Sequence, residues 1–518
     1  MRAKRGFLNV AILIAVAATV IGVRWWESGG ALRVASAMPS IAGTQPAPEF
    51  PQDLDWINTG GDALALDDLR GKVVLLDFWT YGCINCFHII PDLKKLEEKY
   101  GNALVVIGVH SAKFESEGDT QRIRSIAQRY ERTEPIVNDR DFEIWNAYGA
   151  RAWPTLVLID PAGNVVGKVV GEGHYELLDK AIGQLVKEFE GEIDRAPLPL
   201  EPALAKMEDT FLRFPGKVLA DAETHRLFIA DSNHHRIVVA DFDGKVLNII
   251  GSGDAGLRDG DFKTAQFHQP QGLALAGENT LYVADTRNNA IRRVDLETGT
   301  VQTVAGTGEQ VYMRRDSYPA AETPLNTPWD VLWHDGLLYI AMAGQHQLWT
   351  YNPDTERLNA FAGTRREALI DGPRLEAALN QPSGLATDGE KLYFADSEAS
   401  AIRYVDFETN DVETIVGTGL FDFGDVDGKG DDVRLQHPLG VTFANGELYV
   451  ADTYNDKIKI VDPDARTSKT LIGGEGQLFE PGGLDFAEGK LFVADTNGHV
   501  VKIFGLESRE LSTLEVKK

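Results

Sequence analysis

The only two cysteines of this 518-residue chain, Cys83 and Cys86, stand three positions apart in "DFWTYGCINCFH" at 77–88. On the first turn of a helix, C-x-x-C presents its first thiol where free N–H groups and the positive end of the dipole favour the thiolate, which is the nucleophilic form. The second thiol lies one turn inside. That arrangement suits thiol–disulfide exchange, with Cys83 attacking a partner disulfide and Cys86 resolving the mixed disulfide. Asp77 precedes Cys83 by six residues. A desolvated carboxylate there has a raised pKa and can accept the Cys86 proton; the alternative is a strand-end residue bonded to a loop. In "AWPT" at 152–155, Trp153 precedes Pro154, a candidate cis peptide where a strand opens. A Cys83–Cys86 bridge of purely structural purpose would constrain little chain, and a zinc site needs more ligands than two. His88, five residues on from Cys83, lies about 140° round the helix and is expected to point elsewhere.

The elements that position these residues follow from pattern. "VVLLDFW" (73–79) is a continuous apolar run, the mark of a strand buried on both faces, and helical spacing runs from 86 to 100. "ALVVIGVH" (103–110) is a second buried strand and "DTQRIRSIAQRY" (119–130) an amphipathic helix. "TLVLID", "PAGN" and "VVGKVV" read as strand, turn and strand, and 174–189 as a closing helix. The order βαβα then ββα makes residues 53–190 an α/β domain. Residues 27–52 read as a flexible tether, and 191–209, with "APLPLEP", as a semi-rigid linker.

Residues 210–518 repeat. Cores such as "TLYVADTRNNAIRRVD" (280–295) and "ELYVADTYNDKIKIVD" (447–462) recur six times, and five follow a Pro-led strand such as "QPSGLAT". Four short strands repeated six times imply a six-bladed β-propeller. Long loops at 251–268, 306–326, 363–380 and 417–436 share one face, whereas the join at 473–479 is short. That face is expected to hold a partner near the notch between units five and six. The recurring Asp231, Asp285, Asp396, Asp452 and Asp495 read as turn-capping residues. "DVDGKGDD" (425–432) hints at calcium but lacks the closing Glu of an EF-hand, Gln436 standing there; a solvated blade loop is the other reading.

A formal net charge of −27, without a long basic run beyond the first residues, argues against nucleic acid as partner. Residues 7–23 are apolar behind the basic "MRAKRG" and ahead of Trp25 and Trp26. A helix over 7–26 would span about 30 Å, one hydrocarbon core, with the rest of the chain outside the cytoplasm. The alternative is a signal segment cleaved at "ASA" (35–37).

With these motifs in view, residues 64–190 resemble the extracytoplasmic branch of the thioredoxin fold, and the two-domain order is similar to the thioredoxin-like NHL-repeat-containing proteins. The resemblance implies catalytic roles for Cys83, Cys86, Asp77 and Pro154, and substrate contact at Trp153, Gly82, Ile84 and Asn85. Gly82, where thioredoxin has Trp, is expected to open the surface. The expected function is extracytoplasmic thiol–disulfide oxidoreduction on protein thiols and disulfides, without cofactor or metal, the propeller recruiting a redox partner protein. One rival is a propeller scaffold with a structural or redox-sensing α/β domain. The other is a propeller lyase with a channel metal, ranked last because the propeller histidines show no repeated ligand spacing. Reporter fusions after residue 190 test the topology: periplasmic reporters should be active there, and cytoplasmic activity would overturn a single span with both domains outside.

Overall fold

The computed structural model describes residues 39–474 and 476–517. The apolar segment 7–26 lies outside the described residues, and among the described residues no helix is long and apolar enough to cross a membrane. The α/β domain is built on one seven-stranded sheet of order β1-β7-β6-β3-β4-β5-β2. Its strands are β1 (Gln45–Pro46), β2 (Trp56–Ile57), β3 (Val73–Trp79), β4 (Leu104–His110), β5 (Ile136–Asn138), β6 (Thr155–Ile159) and β7 (Asn164–Val170). Every residue of β3 and β4 is buried, and the two pair in parallel from Val73–Leu104 to Trp79–His110. Helices α1 (Ile84–His88), α2 (Ile90–Tyr100), α3 (Thr120–Arg129), α4 (Glu143–Tyr148) and α5 (Tyr175–Glu188) complete the domain. Strand β5 and helix α4 escape the sequence pattern, because three and six residues are too short for either periodicity to develop.

Two segments read as free chain are packed. Within the expected tether, β1 pairs with β7, and Phe50 is buried with its ring 5.7 Å from that of Trp56. The expected linker lies along the α/β domain: Lys72 Nζ donates to the carbonyls of Asp194 and Ala196, and Ala203 N donates to Asn58 Oδ1 at 2.7 Å. Burial of Phe50 and strand pairing in the first segment, and hydrogen bonds with the buried Ala203 in the second, outweigh the entropy of a loose segment.

The repeats form six sheets around an axis, a six-bladed propeller. The first blade is also Pro-led, opening at Pro215. Part of each long loop folds back as a short fifth outer strand at Gly260–Asp261, Ser317–Pro319, Gly372–Pro373 or Gly428–Lys429. Basic side chains pin these returns. Arg292 binds Asp259, Arg403 binds Asp371, and Lys459 Nζ reaches Asp425 and Asp427 at 2.6 and 2.7 Å. Asp425 and Asp427, two of the carboxylates that hinted at calcium, therefore serve as counter-ions to the third strand of their own blade. The ring closes where Val246 N donates to Lys517 O at 2.9 Å.

Lys217 crosses the central channel. Its buried Nζ lies 3.2 Å from Asp330 Oδ2, 2.9 Å from Ser383 O and 2.6 Å from Leu439 O, tying the first blade to three others. Removing one partner of a buried pair leaves the other charge without compensation. Lys217→Met should therefore lower unfolding free energy by about 3 kcal/mol, and Asp330→Asn in the same chain should recover part of it. Urea unfolding of both variants checks this.

Candidate active site at the domain junction

The recurring aspartates build a mouth for the propeller. In five blades the Asp ending the second strand accepts, through Oδ1, the N–H of the residue two before the proline: Arg213, His268, Asn380, Gln436 and Phe479, at 2.5–2.7 Å. In the third blade Met342 takes the place of this Asp. The residue directly before each proline, or at the matching point of each blade, is Phe214, Gln269, Thr327, Gln381, His437 or Glu480. All six have φ between 46° and 62°, a left-handed conformation that turns their side chains toward one mouth of the channel.

That mouth holds the cysteine end of the α/β domain. Gln269 Nε2 donates to Arg129 O at 2.8 Å, and Thr327 Oγ1 meets His88 Nε2 at 2.8 Å. Gln381 Oε1 accepts the Ile84 N–H at 3.2 Å while its Nε2 donates to Gly82 O at 3.3 Å. The His437 ring lies 5.3 Å from that of Phe114, and Glu480 Oε1 lies 3.4 Å from the Tyr81 hydroxyl. Lys113 pairs with Glu398 and Arg122 with Asp456. The face expected to hold an outside partner is thus occupied by the chain's own α/β domain. A crevice does open at the short join, between α3 and the residues Gly474, Gly476 and 478–480.

Cys83 is the N-cap of α1 and partly exposed; Cys86 is fully buried. Cys83 Sγ lies 3.9 Å from Trp153 O, and the Trp153–Pro154 peptide is cis. Asp77 is fully buried in β3. Its Oδ2 accepts from Arg132 Nη2 at 2.6 Å, whereas Oδ1 is buried without a partner. Burial lifts the Asp77 carboxyl from 3.8 to about 6 despite Arg132, since desolvation outweighs the ion pair. Burial, then the Cys83 thiol and the Asp77 charge, pushes Cys86 up as well. The arrangement provides a partly exposed sulfur, a buried sulfur that ionises reluctantly, and a buried carboxylate whose charge acts on that second sulfur.

Two sequence expectations change. Gly82 does not open the surface. A Cβ there would stand 2.9 Å from the Phe114 ring, and the Gly82 N–H is held by the buried Glu117 carboxylate at 2.7 Å. Ile84 is covered by the propeller, with Trp329 and Leu439 in the same apolar cluster. Neither Gly82 nor Ile84 is open to substrate, whereas Asn85 and Trp153 retain partial exposure. His88 does point away from the cysteines, into the junction, where Glu172 accepts from its Nδ1 at 2.9 Å. Pattern reading missed Arg132, Glu117, Gln381 and Tyr312. The Tyr312 hydroxyl, from a propeller loop, bonds Glu172 and lies 3.2 Å from Asn85 Oδ1. One signal was available: the pre-proline residue recurs at a fixed offset, so its side chains had to gather at one mouth.

This sheet, with its cysteine pair, cis proline and buried acid, defines a thioredoxin-like domain, and the family model described as Thioredoxin-like matches residues 71–165. Protein SUPPRESSOR OF QUENCHING 1, chloroplastic, of Arabidopsis thaliana is 43% identical over 449 residues, covering 82% of this chain and 42% of that protein. NHL repeat-containing protein 2 of Bos taurus is 40% identical over 462 residues, covering 82% of this chain and 63% of that protein. Thiol-disulfide oxidoreductase YkuV of Bacillus subtilis (strain 168) is 26% identical over 146 residues, covering 28% of this chain and 97% of that protein. The chain belongs to the thioredoxin-like proteins and carries a six-bladed propeller, and it is similar over 82% of its length to NHL repeat-containing protein 2. It spans less than two thirds of the length of the first two relatives.

The Asp77 carboxyl ionises near 3.8 unfolded and near 6 folded, so its contribution to stability is full below about pH 4 and is lost as pH rises through 6. Asp77→Asn removes that ionisation. Between pH 4 and 7 the unfolding free energy of wild type should fall relative to the variant by on the order of 2 kcal/mol, read from urea midpoints.

Proposed function

We propose that the chain is a membrane-tethered, extracytoplasmic thiol–disulfide oxidoreductase acting on protein thiols and disulfides. The observation that carries the reading is the buried Asp77 carboxylate, with one oxygen unpartnered, in the same domain as the fully buried Cys86, while Cys83 keeps partial exposure beside Trp153 and Pro154. The printed name of YkuV and the family membership support it. The basic and apolar start of the sequence supports the tether and the location.

In the reducing direction the Cys83 thiolate attacks one sulfur of a partner disulfide. The Cys83–partner bond forms, the partner disulfide breaks, and one partner thiolate leaves. Asp77 then takes the Cys86 proton, and the Cys86 sulfur attacks Cys83 Sγ. The mixed disulfide breaks and the second partner thiolate departs. Two electrons pass to the partner, leaving a Cys83–Cys86 disulfide that an external dithiol must reduce. The reverse sequence oxidises a partner dithiol. The cis-Pro154 strand and Trp153 form one wall of the approach to Cys83, and Asn85 with Tyr312 the other, so the propeller selects partners by shaping the approach. The scaffold reading is favoured by one observation, the coverage of Gly82 and Ile84.

Trapping separates the two. Cys86→Ser keeps the attacking thiol and removes the resolving one, so mixed disulfides should accumulate and vanish on reduction. Cys83→Ser should trap at least about ten-fold less, because Cys86 is buried. Failure of Cys86→Ser to trap, together with a wild-type dithiol that neither reduces nor oxidises a test disulfide, would leave the scaffold reading in place.

A further inference from the structure

We propose that Gln381, a residue of the propeller, is a positioning residue for the nucleophile Cys83 and sets how readily its thiolate forms. The inference rests on the oxidoreductase reading. One amide side chain holds the backbone on both sides of Cys83, accepting from Ile84 N at 3.2 Å and donating to Gly82 O at 3.3 Å. Both contacts are buried, and Gln381 is 4% exposed. Its own backbone is held from two directions. Asn380 N donates to Asp396 Oδ1 at 2.6 Å, and Gln381 N donates to His346 Nδ1 at 3.2 Å. The clamp therefore stands on a rigid blade and is 297 residues from Ile84 in sequence.

Two consequences follow for Cys83. The three-residue segment Gly82–Ile84 cannot shift without breaking a buried hydrogen bond, so Cys83 is kept extended at φ −86°, ψ 111°, with Sγ toward Trp153 O. The Ile84 N–H dipole, whose positive end would favour an anion on the neighbouring residue, is instead faced by the Gln381 amide oxygen. That oxygen opposes negative charge on Cys83. The other mouth residues do not have this access. Gln269, in the same ring, donates its side-chain hydrogen bond to Arg129 O and not to the backbone beside Cys83.

The test is the pH profile of Cys83 alkylation by iodoacetamide on the full reduced chain, resolved by peptide mass spectrometry, beside the dithiol–disulfide ratio in glutathione buffers. Gln381→Met, similar in length and without the amide, should move the alkylation midpoint down. It should raise the rate at pH 6 by about three-fold and shift the glutathione equilibrium toward the dithiol. Gln381→Glu keeps an oxygen on the Ile84 N–H in either protonation state, so its midpoint should stay at or above that of wild type. Gln269→Leu should leave the midpoint in place, which distinguishes positioning from general loosening of the junction. A midpoint unmoved by Gln381→Met, or moved equally by Gln269→Leu, or lowered by Gln381→Glu, would overturn the inference. Should Gln381→Met fail to fold, the Gln381→Glu arm still decides. A wild-type pair that does not cycle in glutathione would instead overturn the oxidoreductase reading, and the alkylation profile would still report on Gln381.

Discussion

The junction depends on one repeated hydrogen bond, donated by the N–H two residues before a proline to a buried aspartate at the end of a second strand. The proline's fixed ring and the left-handed residue before it make a turn that would be costly if unsupported. The aspartate supports it by accepting the amide in a dry site, where a charge-assisted bond is strong. Repeated around the ring, it gives rigid posts, of which Gln269, Gln381, His437 and Glu480 meet the α/β domain. In the third blade Met342 stands in place of the aspartate, and Thr327 N donates to Asn289 Oδ1 at 2.9 Å. The docking surface is thus a product of the repeat and not an addition to it.

The surface built this way is polar and buried, an expensive combination that needs every group matched. Lys113 with Glu398 and Arg122 with Asp456 and Glu480 neutralise charge across the junction. Burial raises Glu398 and Glu480 to about 7, so these carboxyls are poised to bind a proton near neutrality. Apolar contacts fill the space between, with the Phe114 ring 4.7 Å from Phe423 and the Tyr81 ring 5.0 Å from Tyr454. The cysteine pair lies within this surface, so its surroundings are set by two domains at once.

What could be read in the sequence was what periodicity and short motifs carry. The run at 73–79 coincides with β3, the Pro-led "QPSGLAT" with the inner strand Pro382–Thr387, and the C-x-x-C with the start of α1. Local pattern also suggested Asp77 and Pro154, because each has a characteristic neighbourhood within a few residues. It could not find Arg132 as the partner of Asp77, which lies 55 positions away in a segment without period. Nor could it find Gln381 or Tyr312, which reach the cysteine segment from 297 and 227 positions away. Gly82 was misjudged for the same reason: a missing side chain looks like open space until Phe114 and Glu117 are seen to fill it. The tether and linker were misread because composition reports local stiffness and is blind to a distant surface on which a segment can lie.

The cover over the cysteines is assembled late. Tyr81 and the Glu480 that faces it are 399 positions apart, and the ring's closing contact uses Lys517. During synthesis the α/β domain can fold as soon as it emerges, while the last blade is still unmade. Until the fourth blade is made the Gly82–Ile84 segment lacks the Gln381 clamp, and until the last blade is made Tyr81 lacks the Glu480 that faces it. Completion of the chain therefore covers the backbone around the pair, with Cys86 buried and Cys83 left partly exposed as the one sulfur the surroundings can still reach.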